Sequence, residues 1–195
     1  VLTHSHVNKI NIANKITQGV QIGRNKEVIN LRAKQEVILS AGAINSPQIL
    51  MLSGIGPKEQ LSAHNIKVQH VLEGVGANLQ DHLTVVPLYK SKTSKGTFGI
   101  SPLGIASILK GCVNWFSKRE GRLTSNFAES HAFIKLFEGS PAPDVQLEFV
   151  IGLVDDHSRK LHTGHGYSIH SSIMRPKSRG TITLADNNPR SAPLI

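Results

Sequence analysis

Between Glu36 and Pro57 the chain reads Glu-Val-Ile-Leu-Ser-Ala-Gly-Ala-Ile-Asn-Ser-Pro-Gln-Ile-Leu-Met-Leu-Ser-Gly-Ile-Gly-Pro, and this stretch constrains the fold more than any other. Residues 34–40 carry an apolar run, Val37-Ile-Leu39, that reads as a strand buried on both sides. Ala41 and Gly42 form a turn of small residues. Ser46 then stands as a helix N-cap, with Pro47 at the first helical position. Ile49, Leu50, Met51 and Leu52 fill a short helix, and Gly54 is placed to end it.

Around this corner the first third reads as a meander. Val7 to Ile12 is a short strand, and the runs 19–23 and 27–31 flank Arg24-Asn-Lys26 as a hairpin. Pro57 opens a second short helix to His64, which Asn65 closes, because Asn tolerates the left-handed conformation. Residues 66–72 alternate as a strand. Gly74-Val-Gly-Ala-Asn-Leu79 offers a G-x-G, but Leu79 stands where a dinucleotide fingerprint needs its third glycine, so a tight loop is the plainer reading.

A boundary is expected near residue 83. Ser101-Pro102 starts a helix whose apolar residues, Ile105, Ile108, Leu109, Cys112, Val113 and Phe116, recur at helical spacing and read as core or lid packing. The last third returns to strands over 127–136, 144–154, 167–173 and 181–185, with a turn at 176–180 and an extended tail over 187–193; in the second, Val145, Leu147, Phe149, Ile151 and Leu153 alternate on one face with Gln146 and Glu148 opposite. Strands joined by hairpins and longer loops imply an antiparallel sheet. The fold class is therefore α+β or α/β, divided as residues 1–83 and 84–195.

The formal charge of +9 needs a partner or a solvent explanation. Lys and Arg occur singly and in pairs, with no run interleaved with aromatics, and aromatics are only 5% of the chain. This argues against nucleic acid and for a solvated basic surface; attraction to an anionic membrane surface or to an acidic part of a larger protein stays open. No apolar run approaches the roughly 20 residues of a membrane span. The start, Val1-Leu-Thr-His, is neither an initiator Met nor a signal peptide, so an internal slice of a longer protein is expected. A single cysteine, Cys112, rules out an internal disulfide and a Cys-rich metal site, and fits a reducing compartment.

Four constellations invite chemistry. His157, His162 and His165 with Asp155, and His170 beyond, could ligate a metal, but spacings of five and three match no standard finger or H-E-x-x-H pattern; local hydrogen bonding is the default. Ser, His and Asp are all present without a G-x-S-x-G elbow. Asp81-His82 reads as a structural loop pair. Glu129, in an apolar strand, is costly to bury unpaired; it is either a salt-bridged or exposed strand residue, or an anion facing a polar or cationic substrate.

The corner's strand, small turn and capped helix resemble a nucleotide-binding site, and the letters of 34–57 resemble the second signature of the glucose–methanol–choline (GMC) oxidoreductases, flavoenzymes using FAD. Gly74-Val-Gly-Ala-Asn-Leu-Gln-Asp-His82 and Ser178-Arg-Gly180 extend the likeness. The segments 121–129, 152–162, 164–166 and 175–180 look like the bacterial branch of choline dehydrogenases and FAD-linked alcohol dehydrogenases.

The resemblance implies a partial Rossmann-like FAD-binding domain over 1–83, and over 84–195 a partial substrate-binding domain with an antiparallel sheet and helices on one face. It implies the backbone of Val7 beside the adenine, Ala41 and Gly42 near the cofactor, and Glu129 at the trimethylammonium group of a choline-like substrate. A carboxylate suits that group because a quaternary ammonium donates no hydrogen bond and is held by Coulomb attraction. The family's Gly-rich fingerprint and its late catalytic His match nothing here, so no residue of this chain inherits a catalytic role. The implied reaction is hydride transfer from a primary alcohol to flavin, a His outside the chain taking the hydroxyl proton, with electrons passed to a quinone-type acceptor. An oxygen-using oxidase, a non-catalytic basic binding module and a core fragment with no activity of its own are the alternatives.

Overall fold

The computed structural model describes residues 1–155 and 159–195. It divides into two compact units: residues 1–80 with 178–195, and residues 81–177.

The first unit begins with a three-stranded antiparallel meander, β1 (His6–Ala13), β2 (Ile16–Arg24) and β3 (Glu27–Arg32). Both turns are two residues long and both residues of each have positive φ: Asn14 and Lys15 at 51° and 62°, Asn25 and Lys26 at 49° and 68°. That conformation matches strand twist, and Asn tolerates it, which is why the hairpins close where the sequence puts Asn-Lys. Helix α1 (Gly42–Leu52) packs on β1; Ser53 at its end accepts from the Ile10 N–H at 2.8 Å. A two-residue strand β4 (Ile55–Gly56), helix α2 (Lys58–Ala63) and strand β5 (His70–Val71), parallel to β4, complete the unit's elements before residue 80. Asn65 closes α2 with φ 56°, as its type suggested. The core joins Met51, Leu61, Val75 and Leu184.

Several expectations are corrected here. Residues 34–40 form no strand: no neighbour pairs with them among the described residues, and Ile38 is 79% exposed. A fully buried strand needs partners on both edges and cover on both faces. Helix α1 starts at Gly42, four residues before Ser46, so Pro47 lies inside it and has no N–H to give to the carbonyl one turn back. Ser46 caps differently, its hydroxyl accepting from the Ala41 N–H at 3.1 Å. The strand over 66–72 shrinks to β5.

The second unit is built on β11 (Gly164–Ile173), which pairs antiparallel with β10 (Val145–Val150), itself paired with β9 (Ala128–Ile134). The other edge of β11 is shared by three short strands, β6 (Thr84–Val85), β7 (Leu88–Ser91) and β8 (Gly99–Ile100). Helix α3 (Pro102–Lys118) follows β8. Ser101 caps it, accepting from the Gly104 N–H at 3.0 Å, and Arg119 ends it with φ 57°. A 3-10 turn, Arg122–Thr124, leads to β9. The alternation expected to reach Leu153 ends at Val150, where the register with β9 shifts and both Val145 and Val150 are buried.

The last eighteen residues were grouped by sequence with the second part. In the structure residues 178–195 belong to the first unit. Ile182 and Leu184 are buried there, Gly180 and Leu79 exchange both backbone hydrogen bonds (2.8 and 2.9 Å), and Gln48 Nε2 donates to the Ser191 carbonyl at 2.7 Å. The stretch 181–185 makes a single bridge, Thr183 to Leu194, in place of a strand, and the tail turns at Asn188–Ser191.

Candidate functional site

In the first unit an open cleft of about 620 Å³ lies against the N-terminal part of α1. Ala43, Ser46, Pro47 and Leu50 form one wall; Gly76, Ala77 and Asn78 form the other. The loop that read as a bare tight turn is thus brought face to face with the corner helix. Gly76 is required there: its φ is 79°, and a Cβ would stand 2.1 Å from the Ile182 carbonyl oxygen. The three quoted segments of this unit, 34–57, 74–82 and 178–180, converge through that loop and the Leu79–Gly180 pair.

Gly42 has φ 83°, and a Cβ added to it would meet nothing within 4 Å. The backbone is therefore open to an approaching group. The first N–H groups of a helix have no helical acceptor, and the first turn of α1 holds no acidic side chain to compete for them. Both features fit a phosphate-bearing cofactor. Val7 lies on β1 opposite Ile22, half-buried, on the strand against which α1 packs.

In the second unit Glu129 is an exposed residue of β9 and lines a recess of about 600 Å³ with Phe98, Arg122, Ser125 and Ile151. Exposure removes the desolvation cost that burial in an apolar strand would impose. Its carboxylate accepts a hydrogen bond from the Ser125 hydroxyl. Sequence reasoning missed Arg122. Its guanidinium sits 4.7 Å from the centre of the Phe98 ring, and it donates to the Ser107 hydroxyl at 2.6 Å and to the Thr97 carbonyl. The aromatic neighbour is 24 residues away in sequence, so no local pattern announces the contact.

Among the described residues no three His, Cys, Asp or Glu side chains gather in ligand geometry; His157 lies outside them. His162 Nε2 is 3.4 Å from Asp155. His165 turns away to Ser101, Nε2 to Oγ 2.7 Å, and so braces the cap of α3. His170 lines a second, polar recess of about 870 Å³ with Asp81, His82, Glu148, Asp155 and Lys160. Asp81-His82 does form a loop pair, the His82 N–H donating to Asp81 Oδ1 at 2.8 Å. Glu148 was read only as the polar face of a strand; cross-strand pairing sets it between His131 and His170.

Comparison with known proteins follows the same segments. A family model described as GMC oxidoreductase matches residues 1–84. Alcohol dehydrogenase [acceptor] of Pseudomonas putida is 39% identical over 197 residues, covering 100% of this chain and 36% of that protein. Oxygen-dependent choline dehydrogenase of Brucella anthropi is 39% identical over 187 residues, covering 96% of the chain and 34% of its own length. The chain thus spans about a third of the curated relatives it matches. Among solved structures, the formate oxidase of Aspergillus oryzae, in work on its FAD modification, superposes with a TM-score of 0.85 at 25% identity, covering 98% of this chain and 38% of that one. A corner signature, the loop opposite it and a likeness running through both units have one common explanation: the chain belongs to the GMC oxidoreductase family.

Proposed function

We propose that this chain is part of an FAD-dependent dehydrogenase that oxidises a choline-like primary alcohol and passes the electrons to a quinone-type acceptor. The observation that carries the reading is the cleft between α1 and the 74–80 loop, built from the segments that carry the family likeness. Residues 1–80 with 178–195 contribute to the FAD-binding domain and residues 81–177 to the substrate-binding domain. The Val7 backbone lies beside the adenine, and Ala41 and Gly42 approach the cofactor where the open space at Gly42 admits it. When bound, FAD accepts the two electrons removed from the alcohol. Proton removal belongs to a His that none of the ten in this chain represents.

Glu129 meets the cationic end of the substrate. Arg122 in the same recess offsets part of that attraction, which favours one cation held close to the carboxylate over a diffuse anionic field. The protein works in the cytoplasm, peripheral at the inner membrane where a quinone is reached, and has no nucleic-acid partner. A second reading, an oxygen-using oxidase, is supported by the oxidase among the structural relatives.

The test uses the complete protein. It should purify with flavin, and anaerobic choline-like alcohols should bleach that flavin, with a quinone analogue restoring it faster than oxygen. Peroxide as the main product would favour the oxidase; a protein that neither carries nor takes up flavin would sink both and leave a basic binding module. Residues 1–195 alone should bind FAD weakly or not at all in a titration, and a tight one-to-one complex would refute the division of the cofactor site. Glu129→Gln should raise KM for a quaternary-ammonium alcohol about tenfold, equivalent to about 1.4 kcal/mol, and change KM for a neutral alcohol less than twofold.

A further inference from the structure

Two opposite charges of the second unit share a recess without pairing. Arg122 and Glu129 both line the space of about 600 Å³ walled by Phe98 and Ile151. The ion pairs formed among the described residues are His131 with Glu148 and His162 with Asp155, and none joins Arg122 to Glu129 within 4 Å. Each of the two is instead held by neutral groups of its own. The Arg122 guanidinium lies over the Phe98 ring and donates to the Ser107 hydroxyl at 2.6 Å and to the Thr97 carbonyl. Ser107 is on the side of α3 that carries the buried Gly104 and Gly111, while Ile105, Leu109, Val113 and Phe116 stand exposed on the helix. Two of the five guanidinium N–H donors are occupied in this way. The Glu129 carboxylate accepts from the Ser125 hydroxyl, which itself accepts from the Phe127 N–H at 3.0 Å. One acceptor site of that carboxylate is thereby filled, out of about four that a carboxylate offers.

Both charges therefore keep most of their hydrogen-bonding capacity. Arg122 is half-buried, and among the described residues no carboxylate lies beside it, an unfavourable state for a cation. A ligand that is only a cation would gain from Glu129 and lose to Arg122; a ligand that is only an anion would do the reverse. A ligand carrying both charges gains at both ends. Charges already fixed in place need little reordering when it binds. The Phe98 and Ile151 side chains suit an alkyl spacer between the two ends. A carboxylate suits the Arg122 end, because planar N–H donors match its oxygens.

We propose that this recess is a zwitterion site: Glu129 takes an ammonium group, Arg122 takes a carboxylate, and the ligand is a small ammonium carboxylate. The inference deepens the proposed function and rests on it for the role of Glu129; Arg122 is the new element. An alcohol ends in a hydroxyl and leaves Arg122 without an anion. The recess therefore favours a carboxylate-ended ligand, which competes with the cationic alcohol for Glu129.

Binding to the complete protein is measured by calorimetry with three ligands: a trimethylammonium carboxylate; its methyl ester, which keeps the cation alone; and the acid with tert-butyl in place of trimethylammonium, which keeps the anion alone. The zwitterion is expected to bind about tenfold more tightly than either of the others, and to inhibit oxidation of a quaternary-ammonium alcohol competitively. Arg122→Met should cut its advantage over the ester to less than about twofold. Ser107→Ala removes one support of the guanidinium and not its charge, and should keep the advantage. Three outcomes overturn the proposal: no binding of any of the three; an ester that binds the parent protein as tightly as the zwitterion, a comparison that involves no variant and stands even where Arg122→Met does not fold; or an advantage that survives Arg122→Met. Flavin bleached by a cationic alcohol without preference for the zwitterion would sink this inference alone, and a zwitterion preference in a protein without flavin would sink the redox reading alone.

Discussion

Asp144 is a buried carboxylate whose role is legible only in three dimensions. Hydrogen bonding by the Ser140 hydroxyl, with the N–H groups of Leu136 (2.8 Å) and Phe137 (3.1 Å), holds its acid dissociation below the ordinary carboxylate value. Asp186 is shifted the same way by the Ser191 hydroxyl (2.8 Å) and the Asn188 N–H (2.7 Å). A folded value below the unfolded one means that the unfolded chain binds protons more readily. The stabilisation is therefore present above about pH 4 and is lost as pH falls through the lowered folded value. Asp144→Asn should melt below the parent protein at pH 7, and the gap should close on acidification; a gap independent of pH would refute the account. Met51 gives a steric counterpart. It is fully buried at the centre of the first unit's core, so Met51→Ala should cost about 2–5 kcal/mol in denaturant unfolding.

At the scale of elements, caps were the most legible feature. Ser101 and Pro102 announce α3, and the structure adds what no local pattern carries, the His165 ring on the same hydroxyl at 2.7 Å. Ser101→Ala should cost about 1 kcal/mol for the cap, and more for the stranded imidazole; a chemical-denaturation series with His165→Ala and the double variant separates the two through their coupling. Gly54 was placed as a helix stop, and it is one: φ is 84°, and a Cβ would press to 2.3 Å on the Lys67 carbonyl oxygen. The start of α1 was misread because Ser46-Pro47 is the stronger local signal. Packing of the helix on β1 extends it back through Ala43 to Gly42, where only a residue free to adopt positive φ allows the turn. The stripe of α3 failed in the opposite sense. Periodicity established that one face is apolar, but periodicity carries no information about which face meets the rest of the unit, and glycines won that contact.

For the whole molecule the decisive event is the return of residues 178–195 to the first unit. Their apolar content is modest, yet Leu184 completes the core of Met51, Leu61 and Val75, and Ile182 seats Gly76 at the cleft. Removing residues 178–195 should abolish the cooperative unfolding of the first unit while hydrogen exchange in β9, β10 and β11 stays protected. Loss of protection in both units together would mean that the two do not fold separately. Composition and pattern change near residue 83, and the first unit's leading segment ends at residue 80. The return was not readable, since strand-like alternation at 181–185 looks the same whichever unit buries it.

Local backbone chemistry was written in the sequence: Asn-Lys turns, a Ser-Pro cap, glycines where φ must be positive, and signature letters specific enough to fix the family. These are decided by a few neighbouring residues and need no partner. Tertiary structure alone decided which segments share a surface. It set the loop at 74–80 across from α1, lined one recess with Arg122 and Glu129, turned His165 to the cap of α3, and left the apolar ridge of α3 exposed. Those outcomes depend on burial and hydrogen bonding between residues dozens of positions apart, and a linear pattern does not encode which of several apolar faces will be covered.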